Sequence, residues 1–173
     1  MNIRFLLAAT LCGAAFSAQA GEQIVVVRSI SAEGVGSIIG TIRFADSERG
    51  LIIDPDVGQL SPGQHGFHVH EHPSCEAADK DGTKVAGLAA GGHYDPHHAG
   101  KHAGPEGHGH FGDLPALEVN PEGVAEWQML APRLKLADIR GRSLIIHAGG
   151  DNYSDDPKPL GGGGARVACG IIE

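Results

Sequence analysis

The sequence predicts an all-β fold, an eight-stranded antiparallel Greek-key barrel or sandwich with two long functional loops. Short segments of β-branched and aromatic residues recur along the chain, and clusters of Gly, Pro, Asn and Asp separate them. Almost no helical period is visible, apart from a short helical turn expected at 134–140. The predicted strands cover 23–30, 35–44, 49–53, 66–72, 116–119, 123–130, 143–147 and 165–172.

The first predicted strands are apolar segments that end at turns. Three valines at 25–27 form the centre of the first strand, and Ile42 and Phe44 are strand formers in the second. Asp54-Pro55-Asp56 ends the third strand, and Ser61-Pro62-Gly63 turns the chain into the fourth.

Two long loops interrupt the strand pattern. Between 73 and 112, Gly, His, Pro and Ala dominate and no strand or helix period survives. A loop of this length inside a compact domain is functional or disordered, and its histidines indicate that bound ligands order it. The second loop, 149–164, is rich in Gly, Asp and Pro; its glycines at 161–164 indicate a flexible turn, because no Gly-Lys-Ser/Thr phosphate motif follows them.

The first twenty residues have the features of a secretory signal peptide. Arg4 provides a basic start, residues 5–16 are mostly apolar, and Ala18-Gln19-Ala20 is a small-x-small cleavage motif. The apolar run is too short to predict a transmembrane helix. We therefore expect a signal peptide at 1–20 and one exported domain at 21–173.

The exported domain is acidic. The chain carries a formal net charge of −8, and removal of Arg4 with no acid would make it −9. Such a charge disfavours nucleic acid and anionic membranes as partners, so we expect neither.

Two cysteines remain once the signal peptide and its Cys12 are removed. Cys75 and Cys169 are an even pair in an exported chain, and an oxidising compartment favours a disulfide between them. A thiolate metal site is disfavoured, since neither cysteine has a CxxC partner.

Histidines are concentrated in one part of the chain, because ten of the eleven lie between His65 and His110. This clustering is typical of a metal site. Side chains alternate along a strand, so His68 and His70 share one face and form a chelating pair. The eleventh, His147, stands alone in an apolar strand.

Two ligand sets can be drawn from these residues. Zinc prefers about four nitrogen, sulfur or carboxylate ligands, which His102, His110 and Asp113 with one further histidine would supply. Copper(II) favours imidazoles, which His68, His70 and His147 with one shared histidine would supply. His93 lies between the two sets in sequence, and an imidazole has two ring nitrogens, so His93 is the best candidate for a shared ligand.

Several motifs resemble those of the copper/zinc superoxide dismutases, with the bacterial periplasmic branch as the nearest match. They span the whole exported domain: Gly66-Phe67-His68-Val69-His70, Gly91-Gly92-His93, Gly100-Lys101-His102, 109–115, 146–152 and 161–170. The resemblance implies a periplasmic enzyme that converts superoxide to dioxygen and hydrogen peroxide, acting as a monomer or homodimer. It also implies one copper and one zinc ion per chain.

The resemblance also implies roles for individual residues. The implied copper ligands are His68, His70, His93 and His147, and the implied zinc ligands are His93, His102, His110 and Asp113. His93 would link the two ions and take part in catalysis, and Arg166 would be the active-site arginine. The Cys75–Cys169 pair matches the family disulfide. Asp151 would link copper and zinc histidines through hydrogen bonds, with Asp155 as the alternative.

Other interpretations remain open at this point. A periplasmic copper/zinc binding or buffering protein on the same fold would keep the histidines without needing Arg166. A copper-only enzyme is disfavoured by the intact zinc set. His108 competes with His110, because Gly107-His108 repeats the local pattern. We expect the unassigned histidines to be solvated loop residues; they are His65, His72, His97, His98 and His108.

Overall fold

The computed structural model describes residues 21–173, and within them it has eleven strands, one short α-helix and two 3-10 turns. The predicted signal peptide, 1–20, lies outside the described residues. The strands are β1 (Glu22–Ser31), β2 (Gly34–Ser47), β3 (Gly50–Val57), β4 (Gly63–His65), β5 (Phe67–His70), β6 (Ala78–Lys80), β7 (Thr83–Val85), β8 (Leu117–Val119), β9 (Met129–Ala131), β10 (Arg142–His147) and β11 (Arg166–Ile172). The helix α1 is Leu136–Ile139, and the 3-10 turns are Leu88–Ala90 and Leu160–Gly162.

One curled antiparallel sheet carries most of these strands, in the order β5-β10-β11-β1-β2-β3-β9. Two small pairs, β4-β8 and β6-β7, complete the described part of the chain. The all-β prediction is therefore confirmed, and the helical turn expected at 134–140 is α1.

The core lies on the inner face of the curled sheet. Along β1, Val25 and Val27 are buried, whereas the alternate residues Ile24 and Val26 are exposed, as strand alternation requires. In β5 both faces are buried: Phe67 and Val69 join the apolar core, whereas His68 and His70 belong to the opposite face. The strand therefore packs the core with one face and offers two imidazoles on the other.

Three predicted segments differ from the structure. The third strand, β3, continues to Val57, so the prediction that Asp54-Pro55-Asp56 ends it is wrong. The stretch 73–112 contains the short hairpin β6-β7, so the prediction that it has no strand is wrong there. The strand predicted at 123–130 is reduced to an isolated pairing of Ala125 with Val57 and to β9. Pro55 explains this gap. Val57 donates its N–H to Ala125, and two residues earlier on the same edge Pro55 has no N–H to donate.

The disulfide between Cys75 and Cys169 is present, with Cα atoms 5.6 Å apart, and joins the first long loop to β11. This confirms the predicted pairing. Within residues 21–173, the helices are all too short or too polar to cross a bilayer.

Candidate metal centre

Two neighbouring strands and the first long loop bring the first ligands together. Ile145 of β10 pairs with His68, and Ser143 pairs with His70, so β10 lies directly beside the histidine strand. His147 ends β10 opposite Arg166, the first residue of β11, at a register shift. His93 comes from the first long loop and forms an isolated pairing with His70.

These elements build a four-histidine group, consisting of His68, His70, His93 and His147. One ring nitrogen from each lies within 4.8 Å of the others, and all four side chains are buried. The nitrogens His68 Nδ1, His70 Nε2, His93 Nε2 and His147 Nε2 have no hydrogen-bond partner among the described residues.

The second nitrogen of each ring is held by an oxygen acceptor. His70 Nδ1 donates to the Gly91 carbonyl at 3.0 Å, and His147 Nδ1 donates to the Gly164 carbonyl at 3.3 Å. His68 Nε2 donates to Asp151 Oδ2 at 2.8 Å, and His93 Nδ1 to Asp113 Oδ1 at 3.1 Å. A neutral imidazole that donates through one nitrogen carries its lone pair on the other, which is the form that binds a metal.

Burial keeps these imidazoles neutral. Desolvation lowers the pKa of His68 and of His70 well below the ordinary value, and neighbouring histidines add to the effect. Desolvation likewise lowers the pKa of His147 to about 4, and it lowers the pKa of His93. The group therefore presents four buried, uncharged nitrogen donors to one point, which fits a copper ion.

A second cluster surrounds Asp113, and we call His93, His102, His110 and Asp113 the Asp113 group. Asp113 Oδ2 is 3.0 Å from His102 Nδ1, and Asp113 Oδ1 is 3.1 Å from His93 Nδ1. His110 Nδ1 is 3.5 Å from Asp113 Oδ1. Three nitrogens and one carboxylate around one point are a ligand set that fits zinc.

His68 also lies close to this second cluster. One donor atom each from His68, His93, His102 and Asp113 lies within 4.8 Å of the others, whereas His110 stands slightly further out. The structure therefore brings together every predicted ligand, but it packs His68 more tightly against Asp113 than the sequence led us to expect.

The charges in the Asp113 group suit a cation. Burial opposes a proton on His102, but hydrogen bonds with Asp113 and Asp151 outweigh it and raise the pKa of His102 to about 9. Burial also opposes charge on Asp113, yet its bonds with His102 and His93 hold the pKa of this carboxyl far below its usual range. The Asp113 group therefore attracts positive charge. In the metal-free protein this charge is the proton on His102, and a metal ion would take its place.

Asp151 links the two clusters. Its Oδ2 accepts from His68 Nε2 at 2.8 Å and its Oδ1 accepts from His102 Nε2 at 2.7 Å. Asp155 contacts only the backbone here, accepting from the N–H groups of His102 and Leu160 at 2.8 and 2.9 Å. Of the two carboxylates considered from the sequence, Asp151 is the one that contacts both rings.

Arg166 stands beside the four-histidine group and is fixed by the first long loop. Its Nη1 donates to the Gly87 carbonyl at 2.5 Å, and its Nη2 donates to the Gly91 carbonyl at 2.7 Å. Gly91 also accepts from His70, so one carbonyl orients both side chains. Gly87 has φ +60°, a left-handed backbone conformation that favours glycine at this anchor.

One expectation about the unassigned histidines is wrong. His72, His97, His98 and His108 are exposed, as expected. His65 is only 2% exposed. Its Nδ1 lies 2.5 Å from the carbonyl of His147, and its Nε2 lies 2.8 Å from the carbonyl of Ser61. It therefore supports the backbone of a candidate ligand, a role that leaves no spacing signal in the sequence. Sequence reasoning also missed Arg133, whose contacts are described below.

A family model for copper/zinc superoxide dismutase (SODC) matches residues 38–172. The chain belongs to the copper/zinc superoxide dismutase family. The copper/zinc superoxide dismutase of Escherichia coli strain K12 is 50% identical over 171 residues, covering 98% of this chain and 99% of the relative. A second such protein, from Salmonella typhimurium, is 52% identical over 171 residues, with the same coverage.

Solved structures agree with this membership. Copper/zinc superoxide dismutase from Brucella abortus matches with a TM-score of 0.87 at 51% identity, covering 88% of this chain and 100% of that chain. The monomeric copper/zinc superoxide dismutase from Salmonella enterica matches with a TM-score of 0.80 at 52% identity and the same coverage. The superoxide dismutase fold predicted from the motifs is therefore confirmed, and these relatives are bacterial proteins.

Proposed function

We propose that the four-histidine group holds copper, that the Asp113 group holds zinc, and that His93 belongs to both. The enzyme dismutes superoxide: two superoxide anions and two protons give dioxygen and hydrogen peroxide. The observation that carries the assignment is the set of buried ring nitrogens without hydrogen-bond partners among the described residues, which includes His110 Nδ1 as well as the four named above. Buried polar atoms are seldom left unsatisfied unless a ligand completes them.

His68 is assigned to copper alone. Its Nε2 is held by Asp151, which leaves Nδ1 as its one free donor, so the ring can bind one ion only. Its partner on β5, His70, has its free nitrogen in the four-histidine group. The fourth place in the Asp113 group then falls to His110, whose free Nδ1 already lies 3.5 Å from the carboxylate.

His93 is assigned to both ions because its two nitrogens face different clusters. Nδ1 lies at Asp113, and Nε2 is grouped with the copper histidines. Deprotonated, one imidazole offers a lone pair on each side. His93 Nε2 would also be able to hold a proton and donate it to the reduced substrate, which needs protons to become peroxide.

The chain positions the substrate as well as the metals. Copper supplies the one-electron exchange, and zinc, which is redox-inert, supplies a fixed positive charge. Arg166 keeps N–H donors free after its two loop contacts, and its guanidinium is charged at all relevant pH values. It can therefore pair with the superoxide anion next to His147. Asp151 fixes the tautomer of His68, whose Nδ1 stays free, and holds the ring of His102 in place.

The compartment follows from the N-terminal sequence. The basic start, apolar run and cleavage motif of 1–20 support export to the periplasm. We assign a monomer or homodimer, and the Salmonella enterica relative is described as monomeric.

Metal content and activity test this proposal together. The purified protein is stripped with a chelator, reloaded with copper, zinc or both, and assayed for superoxide dismutation. We expect about one ion of each metal per chain and activity that requires copper. Tight zinc binding without copper, or two bound metals without dismutation, would instead support a metal-buffering protein.

A further inference from the structure

Arg133 contacts the loop segment that carries two members of the Asp113 group. Its Nε donates to the Pro105 carbonyl at 2.8 Å, and its Nη2 donates to the carbonyls of Gly104 and His110 at 3.1 and 2.8 Å. Its Cζ also lies 5.9 Å from the centre of the Phe111 ring. One guanidinium thus joins carbonyls from both ends of a turn.

The backbone on either side of Arg133 is held by the barrel. Ala131, two residues earlier, pairs with Leu51 of β3, and the N–H of Leu134 donates to the Ala131 carbonyl at 3.3 Å. Leu134 is itself buried in the core. The backbone of Arg133 is therefore fixed by the sheet and not by the loop.

The turn that Arg133 holds begins at His102 and ends at His110. The N–H of His110 donates to the Lys101 carbonyl at 2.9 Å, which closes the turn at its base. The turn is tightly folded: a Cβ at Gly107 would meet the Ala103 carbonyl oxygen at 2.1 Å, and a Cβ at Gly109 would meet the Lys101 carbonyl oxygen at 2.6 Å. Three carbonyls of the turn accept hydrogen bonds from the Arg133 guanidinium. Because the Arg133 backbone is fixed by the sheet, these bonds tie the turn to the barrel.

We propose that Arg133 is a positioning residue that places His110 against Asp113 and thereby sets the affinity of the Asp113 group for zinc. The inference rests on the proposed zinc assignment. The guanidinium bonds the His110 carbonyl directly, and the ring of the same residue contributes the outermost nitrogen of the group. A lysine cannot replace it fully, because an ammonium lacks the planar fork that reaches several carbonyls at once.

The test compares metal affinities in two substitutions and one control. Arg133→Met removes the donors and keeps the length, and Arg133→Lys keeps the charge. Arg140→Met is the matched control, since the Arg140 guanidinium donates to a backbone carbonyl, that of Glu173 at 2.6 Å, outside this turn. Zinc and copper dissociation constants are measured by chelator competition. The visible absorption of cobalt bound in place of zinc is recorded as well.

We expect Arg133→Met to weaken zinc binding about 10–100-fold, with Arg133→Lys in between. The cobalt spectrum should change, while copper affinity and the Arg140→Met protein stay at the wild-type level. Zinc affinity in Arg133→Met equal to that in Arg140→Met would overturn the inference, as would equal losses of zinc and copper. If Arg133→Met does not fold, unchanged zinc affinity and cobalt spectrum in Arg133→Lys would overturn it.

The wild-type protein separates the two claims. If it binds no zinc, the proposed zinc site fails and the role of Arg133 fails with it. If the wild-type protein binds zinc normally and the Arg133 variants bind zinc equally well, the zinc site stands and only the positioning role of Arg133 fails.

Discussion

Breaking the Cys75–Cys169 disulfide should lower the free energy of unfolding of the metal-free protein by about 4–5 kcal/mol. The two cysteines are 94 positions apart, and closing a loop of that length removes this much chain entropy from the unfolded state. For a chain of this size the loss corresponds to a fall of about 10–20 °C in the melting temperature. Urea unfolding of the metal-free protein measures it directly.

Two forms without the disulfide separate the cross-link from the packing of the sulfur atoms. One is the wild-type protein reduced with dithiothreitol, which keeps both sulfurs. The other is Cys75→Ala/Cys169→Ala, which removes them, including the buried Cys169 sulfur. Equal losses in the two forms would identify the cross-link as the cause. A reduced wild type as stable as the oxidised protein would refute the entropy argument and assign any loss in the double variant to packing.

Three further predictions concern the candidate site. Arg166→Glu should lower the second-order rate with superoxide about 10-fold or more at low salt while both metals stay bound, because a local positive field raises the on-rate of an anion; an unchanged rate would remove Arg166 from the mechanism. His110→Ala should weaken zinc binding more than His108→Ala in chelator competition, since His108 is exposed; the reverse order would show that the ligand assignment in this turn is wrong. In the metal-free protein His102 has its pKa raised from 6.5 to about 9, so the stability it contributes is fully present below pH 6.5 and is lost as pH rises towards 9. The stability difference between wild type and His102→Gln in urea should therefore shrink over that window, and a difference that grows would contradict the sign.

Strand alternation explains how much of the site could be predicted from the sequence. His68 and His70 share a face because they are two residues apart in a strand, and His147 is conspicuous as the histidine that directly follows three apolar residues, 144–146. Local patterns such as these need no knowledge of the tertiary structure. The pairing of Cys75 with Cys169 required only the cysteine count and the compartment.

Contacts that depend on the tertiary structure could not be predicted in this way. The burial of His65 depends on the carbonyl of His147, which is 82 positions away. The hydrogen bonds from Arg133 to the Pro105 and His110 carbonyls join residues that are 28 and 23 positions apart. Both residues bond to backbone carbonyls, which every residue type possesses, so the sequence carries no mark of the partner.

Long-range hydrogen-bond acceptors also decide which ring nitrogen each candidate ligand offers to a metal ion. His68 is held at Nε2 by Asp151 and leaves Nδ1 free, whereas His70 and His147 are held at Nδ1 by carbonyls and leave Nε2 free. These acceptors, Gly91, Asp151 and Gly164, all lie in the two long loops. We expected bound ligands to order the first of these loops, but hydrogen bonds also order both of them against the histidines. Because the tautomers are already selected by these bonds, a metal ion would meet free lone pairs without first having to reorganise the rings.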